Sequence, residues 1–351
     1  MKKRLKGSEY EVIKMSYKYL FSPISVKGVK FKNRVIMPPM ATNFGIITDQ
    51  SIAYYSKRAL GGVGSIIIEG VPTQLFRDKR FQDRLKLLAD SIHKNGANAF
   101  VQLTIRSNPQ PRRDVTDIPI DEIRSLIDDF IYAGKICLNA GFDGVEPHGA
   151  HGFIMNQFFS PIYNRRNDNY GGDVYRRMRF SLDVIKGLKS IANERFLILY
   201  RHTPIEAKDG GYTLEDTILF GKELKKEGLD ILDISPSTAP GSYEYGALAR
   251  EVKNSVDIPV IMVGKMHIPD LAEDRIKNGY ADFVAIGRAL LADPFLPKKI
   301  QDGRFNLINS CRQCNIMCHG YLRRRIPISC VVNPSVGREF LEKGSWSSGI
   351  K

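Results

Sequence analysis

Long apolar runs are missing from this 351-residue chain. No stretch approaches the roughly 18 apolar residues that a membrane-spanning helix needs, so no membrane role is expected. The basic start, Met1-Lys2-Lys3-Arg4-Leu5-Lys6, is not followed by an apolar core, and no secretory leader is expected. Internal repeats and low-complexity tracts are also absent, and the 30 Gly and 18 Pro are dispersed. With 43% hydrophobic residues the chain is not of the disordered class. No Gly-x-Gly-x-x-Gly occurs, so a dinucleotide-binding unit is not expected. Acidic residues are in the minority, 38 against 52 Lys and Arg, for a net charge of +14. That excess raises nucleic acid, anionic cofactors and acidic partners as candidates and decides among none of them.

Cysteine is scarce but clustered. Of five cysteines, four lie near the C-terminus as Cys311-x2-Cys314-x3-Cys318-x11-Cys330. Without a secretory leader a disulfide scaffold is out of place, so clustered thiolates point to a metal site in a reducing, cytoplasmic compartment. Four thiolates suit either a cubane iron–sulfur cluster or zinc. The uneven spacing weighs against zinc, which more often takes two separated Cys-x2-Cys knuckles. Cys137 stands apart on the apolar stripe Ile123, Leu126, Ile127, Phe130, Gly134, Cys137, Leu138, where a packed thiol is expected.

Between residues 33 and 290, strand-like runs alternate with amphipathic stretches. The strand-like runs are 34–40, 64–69, 99–103, 144–146, 196–201, 231–235, 260–264 and 283–287. Met178, Leu182, Ile185, Leu188 and Ile191 mark one helical stripe. Eight strand–helix units over about 250 residues predict an α/β fold, a (β/α)8 TIM barrel. Gly61-Gly62-Val63-Gly64 precedes a strand and is read as the turn that ends a helix. We expect a basic extension over 1–15, a barrel over 16–310, and a loop-rich cysteine module with its tail over 311–351.

In such a barrel the chemistry gathers at the C-terminal ends of the strands. Those ends carry Met40-Ala41-Thr42, Glu69-Gly70, Gln102, His148 with His151, Arg201, Ser235, Gly264 and Gly287-Arg288. The two histidines, three apart, could clamp a polar substrate, bind a metal or cap a turn.

Three stretches carry a resemblance. Lys32-Asn-Arg-Val-Ile-Met-Pro-Pro-Met-Ala-Thr42 resembles the opening strand of the old yellow enzyme family of FMN-dependent reductases. His148-Gly-Ala-His151-Gly-Phe153, continuing through Gln157-Phe-Phe-Ser-Pro161 to Asn164-Arg-Arg-Asn-Asp-Asn-Tyr-Gly-Gly172, resembles its fourth-strand signature. Ala285-Ile-Gly-Arg-Ala289 with Ala292-Asp-Pro294 resembles its eighth-strand phosphate site. The four cysteines, followed by Asn333-Pro334 and Gly337-Arg338-Glu339, are similar to the cluster module of one branch. That branch holds 2,4-dienoyl-CoA reductase, 2-enoate reductase, trimethylamine dehydrogenase and bile-acid-pathway enone reductases.

The resemblance implies two cofactors, FMN and a [4Fe–4S] cluster, the latter on Cys311, Cys314, Cys318 and Cys330. Pro39, Met40, Ala41 and Gly70 would line the flavin, and Gln102 would meet its pyrimidine edge. Arg201 would stabilise the reduced ring, and Gly264, Gly287 and Arg288 would hold the phosphate. His148 and His151 would donate to the carbonyl of an α,β-unsaturated carbonyl, carboxylate or thioester, whose β-carbon takes hydride from flavin N5.

Three departures qualify this. Phe153 stands where many members have a proton-donating Tyr, so Tyr243, Tyr245 or water would supply the proton; either tyrosine could instead pack the pocket. Gln102-Leu-Thr-Ile-Arg106 lacks the usual following His. The FAD- and NAD(P)H-binding domains usual in this branch are not in the sequence, so we expect a separate electron donor, a ferredoxin-like carrier or a reductase subunit; the alternatives are direct reduction of the barrel flavin by NAD(P)H and a sequence that is part of a longer chain. The alternative function is an oxidative demethylase like the amine dehydrogenases, passing electrons out through the cluster. A nucleic-acid role is not expected, since Cys137 is badly placed for the catalytic cysteine of a uridine-reducing barrel. A homo-oligomer is compatible with the sequence.

The charge is unevenly spread. Residues 1–18 carry six Lys and Arg against two Glu, and residues 311–351 carry seven against two. Arg323-Arg324-Arg325 lies between the third and fourth cysteines, which suggests a docking face for an acidic electron carrier.

Overall fold

The computed structural model describes residues 17–105, 114–236 and 245–342, without the side chain of Tyr245. The basic extension 1–15 lies outside the described residues. All eight expected strands form: β3 (Val35–Met37), β4 (Ser65–Pro72), β5 (Asn98–Thr104), β6 (Gly144–Gly149), β7 (Leu197–His202), β8 (Ile231–Ile234), β9 (Val260–Met262) and β10 (Phe283–Ala285). They close in the order β10-β3-β4-β5-β6-β7-β8-β9, every pair parallel. This is a (β/α)8 TIM barrel.

The helices form where apolar stripes and caps agree. Gly61 caps helix Asp49–Leu60, as the Gly-Gly pattern predicts. Helix Ile120–Asn139 buries Ile123, Ile127, Phe130, Ala133, Gly134 and Cys137, so Cys137 is a packed thiol. Its burial pushes the thiol far up from its ordinary range. Helix Leu214–Glu227 starts on a capping box of Thr213 and Asp216 and ends at Gly228, whose φ of +103° only glycine adopts without strain.

A hairpin that periodicity did not reveal closes the N-terminal end of the barrel. Strands β1 (Ile24–Val26) and β2 (Val29–Phe31) turn through Lys27 and Gly28, both at positive φ, as a tight two-residue turn requires. Phe31 stacks on Phe100 at 6.1 Å and tilts against Phe283 at 4.8 Å. With Leu197, Leu199, Ile231 and Ile261 these form an interior cluster separate from the helix–strand core. Burying such a ring contributes about 1.5–3 kcal/mol.

At the other end, the segment beyond helix Leu296–Gln301 folds back over the seam between β3 and β10. Ile328 donates its backbone N–H to Thr42 at 2.9 Å, and the Asn43 side chain donates to Ile326 at 3.0 Å. Asn309 and Asn333 donate to the carbonyls of Ala292 and Leu291 at 3.0 and 2.7 Å. Further on, Glu339 meets Arg58 of helix Asp49–Leu60 at 2.8 Å, with both side chains buried. No helix among the described residues is long and apolar enough to cross a membrane.

Candidate active site

Strand register assembles the barrel floor. Gln102 lies opposite Glu146 across β5 and β6, His148 opposite Arg201 across β6 and β7, and Arg201 opposite Asp233 across β7 and β8. Gln102 Nε2 donates to Glu146 Oε1 at 2.8 Å. Arg201 Nε lies 3.3 Å from Asp233 Oδ2, and Arg201 Nη2 donates to Ser235 Oγ at 2.8 Å. Ser235 Oγ in turn lies 3.0 Å from His151 Nε2. Arg201 is buried and faces the cavity described below.

The electrostatics of this floor are crowded. Burial, with the neighbouring Asp233 charge, pushes the Glu146 carboxyl up to about 8, against the pull of Arg201. Burial also raises Asp233, opposed by Arg201. Of the two we assign the anion to Asp233, because it lies against the guanidinium. Burial and then the Arg201 and His151 charges hold His148 well below the ordinary imidazole range. His151 sits at the rim with an exposed edge, and packing round its ring, with Arg201, pushes it down to about 4. Both imidazoles are therefore neutral at pH 7, each able to donate one N–H. Glu146 Oε2 and His148 Nδ1 are buried without a hydrogen-bond partner.

Above the floor lies a cavity of about 290 Å³ lined by Pro39, Met40, Arg201, Gly264, Gly287 and Arg288, among others. These are six of the nine residues predicted to hold a cofactor. A more apolar cavity of about 390 Å³ adjoins it, sharing Met40 and Arg288 and adding Ala41, Leu291, Cys318 and His319. Both volumes suit a small-molecule site. The glycines here are tight: a Cβ on Gly287 would meet Met40 Sδ at 3.1 Å, and one on Gly70 would meet Gln102 Oε1 at 3.3 Å. Gly264 has a φ of +106° that a side chain would strain. Backbone close approach, a guanidinium at the rim and unpartnered polar atoms in the floor fit an anionic, flat, heteroaromatic group such as FMN.

His148 and His151 stand at the end of β6 with ring centroids 5.3 Å apart, and Phe153 packs on His148 at 4.2 Å. Phe153 is a wall beside the imidazole and has no proton to give. Tyr243 lies outside the described residues. Tyr245 opens helix Tyr245–Val256, and its side chain is likewise undescribed.

Cys311, Cys314, Cys318 and Cys330 line one small pocket together with Arg288 and Gln313. Among the described residues no three His, Cys, Asp or Glu converge tightly enough to hold a single metal ion. A cubane cluster spreads its thiolates around a cage instead of converging them on one ion. The loop is shaped toward sulfur. Gln313 and Asn315 flank Cys314 at φ 55° and 58°, and the Gln313 N–H points at Cys311 Sγ from 3.4 Å. Such N–H···S contacts favour a thiolate. Arg288 Nη1 donates to Asn315 at 2.6 Å, and Cys311 lines both this pocket and the 290 Å³ cavity. The thiol pocket and the barrel site thus share a wall.

The model of the NADH:flavin oxidoreductase / NADH oxidase family matches residues 19–114 and 107–306. The chain belongs to this family. It is 37% identical over 367 residues to an NADH oxidase of Thermoanaerobacter brockii, covering 91% of this chain and 56% of that protein. This flavin oxidoreductase thus spans about half the length of such relatives. A 2-naphthoyl-CoA reductase in complex with 2-naphthoyl-CoA superposes with a TM-score of 0.85 and 26% identity, over 92% of this chain and 58% of that one. A histamine dehydrogenase from Rhizobium sp. 4-9 gives 0.82 and 26%, over 92% and 53%. The fold is therefore shared by proteins named for reducing and for dehydrogenating.

Sequence reasoning picked out Arg201, Ser235 and the histidines but gave no role to Glu146 and Asp233. Their signal was a carboxylate inside a buried strand, where it has to be paired, hydrogen-bonded or neutral.

Proposed function

We propose that this flavin oxidoreductase reduces the activated C=C bond of an α,β-unsaturated carbonyl, carboxylate or thioester, using FMN in the barrel and a [4Fe–4S] cluster on the four cysteines. The observation that carries the reading is the pair of imidazoles at the end of β6, their ring centroids 5.3 Å apart and one with an unpartnered nitrogen, beside a buried guanidinium. When bound, the flavin supplies hydride at N5, and the cluster supplies single electrons. His148 and His151 donate N–H groups to the acceptor oxygen and stabilise the negative charge that develops there. Arg201 holds fixed positive charge at the flavin edge, kept in place by Asp233 and Ser235. Gly264, Gly287 and Arg288 hold the phosphate. Tyr243, Tyr245 or water delivers the proton that Phe153 cannot. A separate acidic carrier or reductase subunit feeds the cluster.

The likeness to a reductase that binds an aromatic CoA thioester supports this reading. The likeness to histamine dehydrogenase and the protonless Phe153 favour the second one, an amine dehydrogenase running the flavin in the other direction. Anaerobic purification should yield flavin absorption and about four irons per chain. The photoreduced protein is then mixed with an enone, an enoyl-CoA and, in its oxidised form, an N-methyl amine. Reoxidation by an unsaturated acceptor is expected. Reduction by the amine alone would replace the proposal with its alternative, and zinc without iron would overturn the cluster.

A further inference from the structure

Of Asp233 and Glu146, it is Glu146 that lacks a counter-charge of its own. Asp233 has no hydrogen bond but lies against the Arg201 guanidinium at 3.3 Å, whereas Glu146 has only the neutral amide of Gln102 at 2.8 Å and leaves Oε2 without a partner. It is fully buried in the middle of β6, directly across from Gln102 in register. The mechanism above makes no use of it.

We propose that Glu146 is a positioning residue for the flavin, fixing the orientation of the Gln102 amide and setting the charge of the barrel floor by its own protonation. This rests on FMN occupying the barrel. The carboxyl takes the amide NH2, which leaves Gln102 Oε1 facing Gly70, where a Cβ would come within 3.3 Å. An acceptor is thereby left free for a group such as the imide N–H of a flavin. The amide cannot rotate to present NH2 there without bringing two oxygens together, so long as Glu146 accepts.

Charge gives the second half of the argument. The charged groups facing Glu146 are Asp233 from β8 and Arg201 from β7; His148 on its own strand and His151 beyond it are neutral. With Glu146 protonated, the floor sums to zero. With it ionised, the floor carries one net negative charge under a ring that gains negative charge on reduction. Desolvation and Asp233 place that change near pH 8. Above this pH, reduction draws a proton onto Glu146, so the flavin potential should fall more steeply with pH than below it.

The test uses the purified, FMN-loaded protein, with FMN affinity by fluorescence quenching and the flavin midpoint potential across pH 6–10 as readouts. Glu146→Leu removes the acceptor and should weaken FMN binding about tenfold. Glu146→Gln keeps an acceptor but cannot ionise. It should bind FMN within about twofold of wild type while losing the change of slope near pH 8. The proposal fails if Glu146→Leu binds FMN as wild type does, or if Glu146→Gln keeps the change of slope. A wild type that takes up no FMN at any pH overturns the flavin reading, and this inference with it.

Discussion

The reactive groups of the barrel and those of the cysteine segment are held in place by different means. Gln102, Glu146, Arg201 and Asp233 sit on strands, and their partners follow from parallel register between neighbours. The four thiols sit on loops in a stretch whose regular structure is one five-residue helix, His319–Arg323, and short 3-10 turns. The barrel can therefore carry unpartnered buried atoms such as Glu146 Oε2, because the sheet ladder supports them. Among its described residues the cysteine segment has a single isolated bridge, Cys330 to Asn333, and no ladder. It depends on a few contacts, among them Thr42 to Ile328, Asn43 to Ile326, Gln50 to Gly337 at 2.6 Å, and Arg58 to Glu339. Rigidity is inherited from topology in one region and assembled contact by contact in the other.

Removing the strongest of those contacts, between Arg58 and Glu339, should loosen the cysteine segment most. Arg58 is buried, its guanidinium lies 3.6 Å from the Tyr54 ring centroid, and its Nε and Nη2 have no partner. Glu339→Ala would leave that cation uncompensated, at a cost of about 3–5 kcal/mol. Denaturant unfolding should show the loss, and iron content should fall with it while FMN is retained. A stability change below about 1 kcal/mol would mean that the segment is held elsewhere.

Acid should act on the barrel through its imidazoles. Burial holds His202 down near 3 and His148 well below its ordinary value, and packing with Arg201 takes His151 to about 4. Below pH 6.5 the unfolded chain takes up protons that the folded barrel refuses, so stability falls progressively as pH drops from 6.5 toward 3. Thermal melts across that range should show the decline, and His202→Gln should make it shallower. A flat profile would contradict the assignment of neutral imidazoles. Glu146 acts with the opposite sense, since its raised value makes stability fall as pH rises from about 4.5 through 8.

How much of this was legible beforehand follows the same division. The eight strands, the buried Cys137 and the place of Arg201, Gly264, Gly287 and Arg288 at strand ends could be read off, because periodicity reports topology directly. The hairpin closing the barrel could not, since its strands, Ile24–Val26 and Val29–Phe31, are too short to show a period. The pairing of Gln102 with Glu146 and of Arg201 with Asp233 needs register between strands far apart in sequence. The contact between Arg58 and Glu339 has no local signature, because neither side chain differs in pattern from a surface charge until the chain folds back.

A smaller effect is expected from Cys314, which is exposed. Cys314→Ser should remove iron while moving the unfolding midpoint by no more than about 1 kcal/mol, since few atoms change their packing. Iron retained at the wild-type ratio would take Cys314 out of the ligand set. FMN content serves as the barrel control and should not change.

The smallest expected effect on the folded molecule, and the most selective one, belongs to Arg323, Arg324 and Arg325. All three are exposed at the end of helix His319–Arg323, which follows Cys318, and none makes an ion pair among the described residues. Replacing them together with Gln should leave stability within about 0.5 kcal/mol. Reduction of the cluster by an acidic ferredoxin should slow about tenfold at low salt and converge with wild type at high salt, where screening removes the steering. Because the substitution leaves every barrel contact in place, enone turnover by the photoreduced protein should not change. A rate that ignores both salt and the substitution would leave the arginines as a solvated face, and the electron donor would have to approach from another side.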